Sequence, residues 1–331
     1  MLPWLETLRQ NLNRRALDNK LPHALLFTGP RGYGKETLAR EFAQGLLCQS
    51  PDDKGQACGS CASCHLLQAG THPDFMQIAP EEVGKAIPVD RVRALGKFLA
   101  LKGQYGNRQV VVIAPAEAMN RFAANSLLKT LEEPTAEALV ILVSSRPSLL
   151  LPTIRSRCQQ VTLPRPGREM ALTWLKDQLG DNVDGETLLS LTDGAPLEAV
   201  SLHETGGLAM RHELAQAWSN VAEGKGDPLE CAASWSEQGL AQAAQWLNSW
   251  IMDLIRLKSG APPAAIVNCD LCQILPVLAD RLELKQLFNT LEQITEYTRW
   301  GEGQLNPQLA LEDIMISWGR ASRRKNIKQR I

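Results

Sequence analysis

Gly29-Pro30-Arg31-Gly32-Tyr33-Gly34-Lys35-Glu36-Thr37 is the stretch on which the fold turns. A short apolar run, Ala24-Leu25-Leu26-Phe27, precedes it, and a helical pattern from Leu38 to Leu47 follows. Strand, glycine-rich turn and helix make the setting of a phosphate-binding loop. There, backbone N–H groups at a helix N-terminus cradle phosphate and a lysine reaches the outer phosphates. Gly29, Gly32, Gly34, Lys35 and Thr37 are the candidate nucleotide-binding residues. The pattern G-x-x-x-x-G-K is complete, but the next position, where a hydroxyl should bind Mg²⁺, holds Glu36. A second magnesium ligand belongs at the end of a buried strand. The run Gln109–Ile113 is that strand, yet Ala114-Pro115 follows it and Glu117 stands three residues late. With both ligands gone, charge on a transferred phosphoryl group is poorly neutralised, and hydrolysis is not expected. Holding ATP or ADP without magnesium-dependent hydrolysis stays open. The alternative is a turn kept because strand and helix pack closely there.

Outward from the loop, strand-like and helix-like segments alternate. Residues 7–20 read as an amphipathic helix with Leu8, Leu12 and Leu17 near one face, ended by Pro22. His72–Ile78 alternates like a strand. Pro88-Val89-Asp90 precedes a helical pattern through Leu101, with Asp90 as its N-cap and Arg91–Arg93 in the first turn. Met119–Leu131 is a helix with Leu127, Leu128 and Leu131 on its apolar face, closed by Pro134. Ala138–Val143 and Gln160–Leu163 are further strands. Strands rich in β-branched residues, alternating with helices, predict an α/β domain with a parallel sheet. Pro164-Arg165-Pro166-Gly167 marks a boundary. Helical patterns follow over Glu169–Leu179, Gly185–Leu191, Met210–Ala222, Gly239–Lys258, Asp270–Thr298 (broken at Pro276) and Pro307–Arg320. Leu240, Ala244, Leu247, Ile251 and Leu254 recur at helical spacing, as in a bundle.

The composition, 44% apolar and 21% charged over 331 residues, suits a globular protein of two or three domains. No run reaches the roughly 18 apolar residues of a membrane span. Nor does the N-terminus combine a basic region with an apolar stretch, so a cytoplasmic location is expected. Residues 1–163 carry 19 Lys+Arg against 14 Asp+Glu, a net of +5, so the remainder carries −6 of the total −1. The basic part suits a polyanion, or is ordinary surface variation.

Cys58-Gly59-Ser60-Cys61-Ala62-Ser63-Cys64 places three thiols at C-x-x-C-x-x-C spacing in a turn-rich insertion, and Cys48 lies ten residues earlier. Four thiolates make a closed structural zinc site, one zinc per chain. An iron–sulfur cluster, a redox pair and free thiols are the other readings. Cys269 and Cys272 repeat the C-x-x-C spacing without a second pair and read as structural.

Ala124-Asn125-Ser126-Leu127-Leu128-Lys129-Thr130-Leu131-Glu132-Glu133-Pro134, followed by Ser156-Arg157-Cys158, resembles the AAA+ clamp-loader family, whose members load the sliding clamp onto primed DNA. The four-cysteine insertion is similar to that of its bacterial members. Decayed magnesium ligands beside an intact Ser-Arg-Cys motif resemble the non-hydrolysing subunit of the bacterial DNA polymerase III clamp loader. The resemblance implies an AAA+ domain with the zinc insertion over 1–163, a small helical lid over 164–205 and an all-α collar for oligomerisation over 206–331. It implies partners: gamma/tau and delta subunits in a hetero-pentamer, and through that complex primer–template DNA and the sliding clamp. By the same resemblance Arg157 is an arginine finger acting in trans at a neighbour's ATP site, where a guanidinium is worth about 10³–10⁵ in rate in comparable systems. A sensor arginine of the hydrolysing members is replaced by Leu197 in Gly194-Ala195-Pro196-Leu197, and Ser144 and Ser145 fall at the other sensor. Arg91, Arg93 and Lys97 are candidate DNA contacts, with a solvated face as the alternative; the basic tail Arg320–Arg330 is read as disordered or a solvated helix end, with a DNA arm as the alternative. Two other functions compete: an active gamma/tau-like ATPase, and a zinc-containing DNA-binding module.

Overall fold

In the computed structural model the described residues are 2–82, 84–105, 108–135, 137–262, 265–299 and 306–328. The chain divides into two compact units. The first is Met1–Gln178 with Gly194–Glu198, and the second is Leu179–Asp193 with Ala199–Ile331.

In the first unit, α1 (Glu6–Leu17), β1 (Ala24–Thr28), α2 (Lys35–Leu47), α3 (Ala62–Gln68), β2 (Phe75–Ile78) and α4 (Val89–Leu99) are followed by β3 (Gln109–Ile113), α5 (Arg121–Glu132), β4 (Ala138–Ser144), α6 (Pro152–Arg157), β5 (Gln159–Thr162) and α7 (Arg168–Leu179). The strands form one sheet in the order β2-β3-β4-β1-β5 with every pairing parallel. Period-two alternation distributes the strand residues between two cores. Leu25, Phe27, Val110, Val112, Leu139 and Ile141 pack with Leu12, Leu38 and Phe42 of α1 and α2. Leu26, Val111, Ile113, Val140 and Leu142 pack on the other face with Val92, Leu95, Leu127, Leu131 and Ile154 of α4, α5 and α6. Trp174 of α7 meets Trp4 edge-on, ring centroids 5.3 Å apart.

The second unit is helical, with α8 (Gly185–Leu191), most of α9 (Pro196–Glu204), α10 (Gly207–Glu223), α11 (Pro228–Ser236), α12 (Leu240–Lys258), α13 (Leu275–Arg281), α14 (Leu284–Arg299) and α15 (Pro307–Lys328). Its core holds the expected face of α12, Leu240, Ala244, Leu247, Ile251 and Leu254, among four fully buried tryptophans. Trp218 and Trp318 stack with centroids 4.2 Å apart, and the Trp318 indole donates to the Trp218 carbonyl. Arg211 is buried across Trp246 and Trp250 and pairs with Asp270 at 3.0 Å and Asn268 at 2.8 Å. Asp253, also buried, accepts from the N–H groups of Val267 and Asn268. Buried charge is tolerated here because each group is paired and hydrogen-bonded. Among the described residues no helix is long and apolar enough to cross a membrane.

Several boundaries differ from the sequence reading. Pro88, not Asp90, is the N-cap residue of α4, and Asp90 lies in its first turn. Helix α2 starts at Lys35 because Gly34 takes the left-handed conformation that admits the helix directly after the loop. Leu17 is exposed in the last turn of α1, which is closed by the Asp18 N–H to the Arg14 carbonyl. The Ser-Arg-Cys segment is the end of a short helix, α6. The expected interruption near Pro276 is present, between a 3-10 turn at Cys269–Leu271 and α13; Pro276 occupies the first turn of α13, where its missing N–H has no helical partner to lose. A second break falls at Leu282, which is extended. Helix α11 was unforeseen although its signals were present: Asp227 caps the Leu229 N–H and Pro228 opens the helix. Helix α9 begins immediately after the Gly194 turn.

Replacing Trp218 by Ala removes the central ring of the tryptophan stack. We expect a loss of about 3–5 kcal/mol in the chemical denaturation of the full chain followed by tryptophan fluorescence.

Candidate functional site

The phosphate loop lies between β1 and α2, at the carboxyl edge of the sheet, where open α/β sheets place ligands. Its polar groups are turned inward. Lys35 is buried and its Nζ donates to the Pro30 carbonyl at 2.6 Å. Burial pushes its pKa down to about 8, against the pull of Glu117 and Glu198 and with repulsion from Arg31. The Leu197 N–H donates to the Gly32 carbonyl at 3.2 Å. The Trp4 indole donates to the Tyr33 carbonyl at 2.9 Å. Gly32 and Gly34 both have positive φ, and a Cβ on either would collide, with Glu198 and Ala195 in the first case and with Leu2 in the second. The glycines therefore admit other parts of the same unit against the loop. Glu36 and Thr37 are exposed, and the Glu36 carboxylate accepts from Gln77 of β2 at 3.2 Å.

The strand end after β3 carries buried Ala114 and exposed Pro115, with no carboxylate. Glu117 turns back from a short 3-10 turn, and one carboxylate oxygen accepts the N–H groups of Ser145 at 3.0 Å and Arg146 at 3.2 Å. The Ser144 hydroxyl also accepts from Arg146 N–H, so the serines and their neighbours satisfy backbone groups. Sequence spacing had set Glu117 aside. The fold brings it near enough to Lys35 to stabilise that cation, a relation that only the loop geometry reveals.

Ser156-Arg157-Cys158 joins α6 to β5. Cys158 is buried in the second-face core, and burial pushes its thiol up to about 11. The Ser156 hydroxyl and the Arg157 Nη1 both donate to the Thr153 carbonyl at 3.1 Å. Arg157 Nη2 donates to Glu132 Oε1 at 2.7 Å. Glu132, the last residue of α5, lies within the motif that carried the family resemblance but had no individual role in the sequence reading.

Cys48, Cys58, Cys61 and Cys64 converge, their sulfurs all within 4.8 Å of one another. Cys48 to Cys61, Cys58 to Cys64 and Cys64 to Cys48 are 3.9, 4.0 and 3.7 Å apart. A tetrahedral ion with metal–sulfur bonds of about 2.3 Å requires sulfur separations of about 3.8 Å, so the four sulfurs could hold a metal ion such as zinc. Backbone N–H groups of Ser50 and Cys58 point at the Cys48 sulfur, and that of Cys64 at Cys61. Burial raises the Cys48 thiol and pushes Cys64 up to about 12, whereas the Ser60 N–H and hydroxyl bring exposed Cys58 down to about 6. A cation among the sulfurs offsets the cost of ionising the two buried ones.

The remaining candidates are dispersed. Arg91 pairs with Glu81 at 3.0 Å and Arg93 with Asp90 at 3.3 Å on α4. At about 100° per residue, Arg93 and Lys97 share an exposed face, while Arg91 lies on the other flank. Cys269 and Cys272 are exposed around a 3-10 turn, and the Cys269 sulfur contacts the Thr187 hydroxyl. The basic tail begins inside α15, which runs to Lys328, and ends outside the described residues.

Residues 4–167 match the family described as "DNA polymerase III, delta subunit", and residues 206–320 match "DNA polymerase III, delta subunit, C terminal". The DNA polymerase III subunit delta' of Pseudomonas aeruginosa is 37% identical over 320 residues, covering 96% of each chain. That of Escherichia coli is 32% identical over 318 residues, covering 95% of this chain and 94% of the other. Among solved structures, a DNA polymerase III gamma subunit-related protein from Thermotoga maritima gives a TM-score of 0.53 at 20% identity, covering 97% of this chain and 100% of that one, a likeness of fold alone. The parallel sheet with its phosphate loop is the AAA+-like arrangement that the motifs implied. Matched at this identity over nearly its whole length, the chain belongs to the DNA polymerase III subunit delta' family.

Proposed function

We propose that this chain is a non-hydrolysing subunit of the DNA polymerase III clamp loader, which places the sliding clamp on primed DNA. Its partners are gamma/tau and delta subunits in a hetero-pentamer, and it meets primer–template DNA and the clamp through that complex. Residues 164–205 act as the lid and 206–331 as the oligomerising collar. The chain works in the cytoplasm.

The loss of both magnesium ligands carries the non-hydrolysing reading: Glu36 stands at the hydroxyl position and faces Gln77, and Ala114-Pro115 ends β3. Lys35 is committed to the Pro30 carbonyl, and the loop carbonyls of Gly32 and Tyr33 are taken by Leu197 and Trp4. These bonds engage carbonyls and the lysine rather than the backbone N–H groups that cradle phosphate, and there is no protein acid at Ala114 or Pro115 to hold magnesium. The gamma/tau-like ATPase alternative therefore lacks both metal ligands. Arg157 is the residue of this chain that serves chemistry. Its guanidinium is partly exposed at the end of α6 and carries charge that a partner's γ-phosphoryl group can use. The four cysteines hold one structural zinc, which stabilises an insertion too small for a core of its own. The Arg93 and Lys97 face supplies positive charge for DNA phosphates.

Titrating the purified chain with ATP, with and without Mg²⁺, should show no hydrolysis above background and no strengthening of any binding heat by Mg²⁺, because both magnesium ligands are missing. Turnover by the isolated chain would overturn the non-hydrolysing assignment. In the assembled complex, Arg157→Ala should leave assembly intact and lower ATP turnover by about 10³-fold at the one site it serves, read by single-turnover hydrolysis; unchanged kinetics would remove the finger. Metal analysis of freshly purified, reduced protein should find about one zinc per chain, and a chelator should loosen the insertion first, as read by limited proteolysis between Cys48 and Cys64.

A further inference from the structure

We infer that Glu132 is a positioning residue for Arg157, holding the guanidinium in an outward-ready arrangement before a partner's ATP site closes on it. The inference rests on reading Arg157 as a finger acting in trans. The contact is direct, Arg157 Nη2 to Glu132 Oε1 at 2.7 Å, and the second nitrogen, Nη1, is held by the Thr153 carbonyl at 3.1 Å. Two acceptors on different nitrogens fix the plane of the fork, which a single ion pair does not.

The placement of both residues supports the assignment. Glu132 ends α5 and Arg157 ends α6, and the two helices pack against each other. A carboxylate at a helix C-terminus sits against the negative end of the dipole, so Glu132 is poorly placed for helix stability alone. Arg157 compensates it. Both side chains remain half-exposed, 35% for Arg157 and 49% for Glu132. An ion pair of that exposure is weak and shifts a rotamer population only by roughly two- to fivefold. It is strong enough to narrow the conformations of a long side chain that otherwise loses much rotamer freedom on binding. It is also weak enough to yield to a phosphate oxygen, which forms stronger charge-assisted bonds with a guanidinium. A buried pair such as Arg211 with Asp270 would trap the arginine instead. The consequence is preorganisation: part of the ordering cost of the finger is met before the partner arrives.

The experiment is a double-mutant cycle in the assembled complex, read as single-turnover ATP hydrolysis at saturating ATP with KM measured separately. Glu132→Ala should lower the rate about two- to fivefold with little change in KM, because the finger acts on the transferred phosphoryl group. Glu132→Gln, which keeps an acceptor for Nη2, should recover most of the loss. In an Arg157→Ala background, Glu132→Ala should cost nothing further. Equal losses in both backgrounds would mean that Glu132 only supports the fold, and an unchanged or faster single variant would also overturn the inference; so would a Gln variant as slow as Ala. If Arg157→Ala alone has wild-type kinetics, the finger reading itself fails, an outcome separate from the other three. Thermal unfolding and assembly of each variant show whether any loss reflects folding.

Discussion

A parallel sheet buried on both faces constrains everything else in the first unit. Each strand must present alternate residues to two separate cores, so Leu25 and Phe27 serve one while Leu26 serves the other. Parallel pairing sends every strand end toward the same edge. The glycine-rich loop after β1, the turn holding Glu117 after β3 and the Ser144–Arg146 segment after β4 therefore meet there whatever their chemistry. Polar groups gathered at one edge must be satisfied by water, by ligand or by the chain.

In this protein the chain itself supplies most of that satisfaction. Trp4, Lys35 and Leu197 take three carbonyls of the phosphate loop, and Glu117 takes two backbone N–H groups next to β4. A guanidinium left partly exposed lies elsewhere, at the end of α6. The two arginine networks illustrate how burial separates the roles. Arg211, sealed among tryptophans with Asp270 and Asn268, is paired where losing one partner strands a charge and costs several kcal/mol. Arg157, half-exposed, is held lightly enough to change partners.

The cysteine insertion obeys a different constraint. It has little apolar material of its own, and three fastenings place it. The Asn13 side chain donates to the Lys54 carbonyl, tying it to α1. The four sulfurs gather at tetrahedral spacing. Between two of those cysteines, Ser63 donates to the Leu47 carbonyl and meets His72 Nε2 at 2.8 Å, while His72 Nδ1 accepts the Asp74 N–H. Burial lowers the His72 pKa and keeps the ring neutral, and with Nδ1 accepting, the remaining proton lies on Nε2 toward the serine. The relay fixes the insertion to the start of β2.

Local pattern determined much of this protein from its sequence alone. The β-branched runs, the G-x-x-x-x-G-K turn and the C-x-x-C-x-x-C spacing each encode their geometry within a few residues, so the parallel sheet, the loop between strand and helix and the cysteine cluster were legible. So was the absence of a strand-end acid at Ala114 and Pro115. Helices α9 and α11 were not, although each opens on a proline, Pro196 and Pro228, a start signal that apolar periodicity alone does not register. What only the tertiary structure decided involves partners far apart in the chain. Trp4 on Tyr33, Leu197 on Gly32, Glu117 on Ser145 and Glu132 on Arg157 join residues whose separation is set by the winding of the sheet. A side chain's local sequence states what it can bond; only the packed fold determines which atom is within reach.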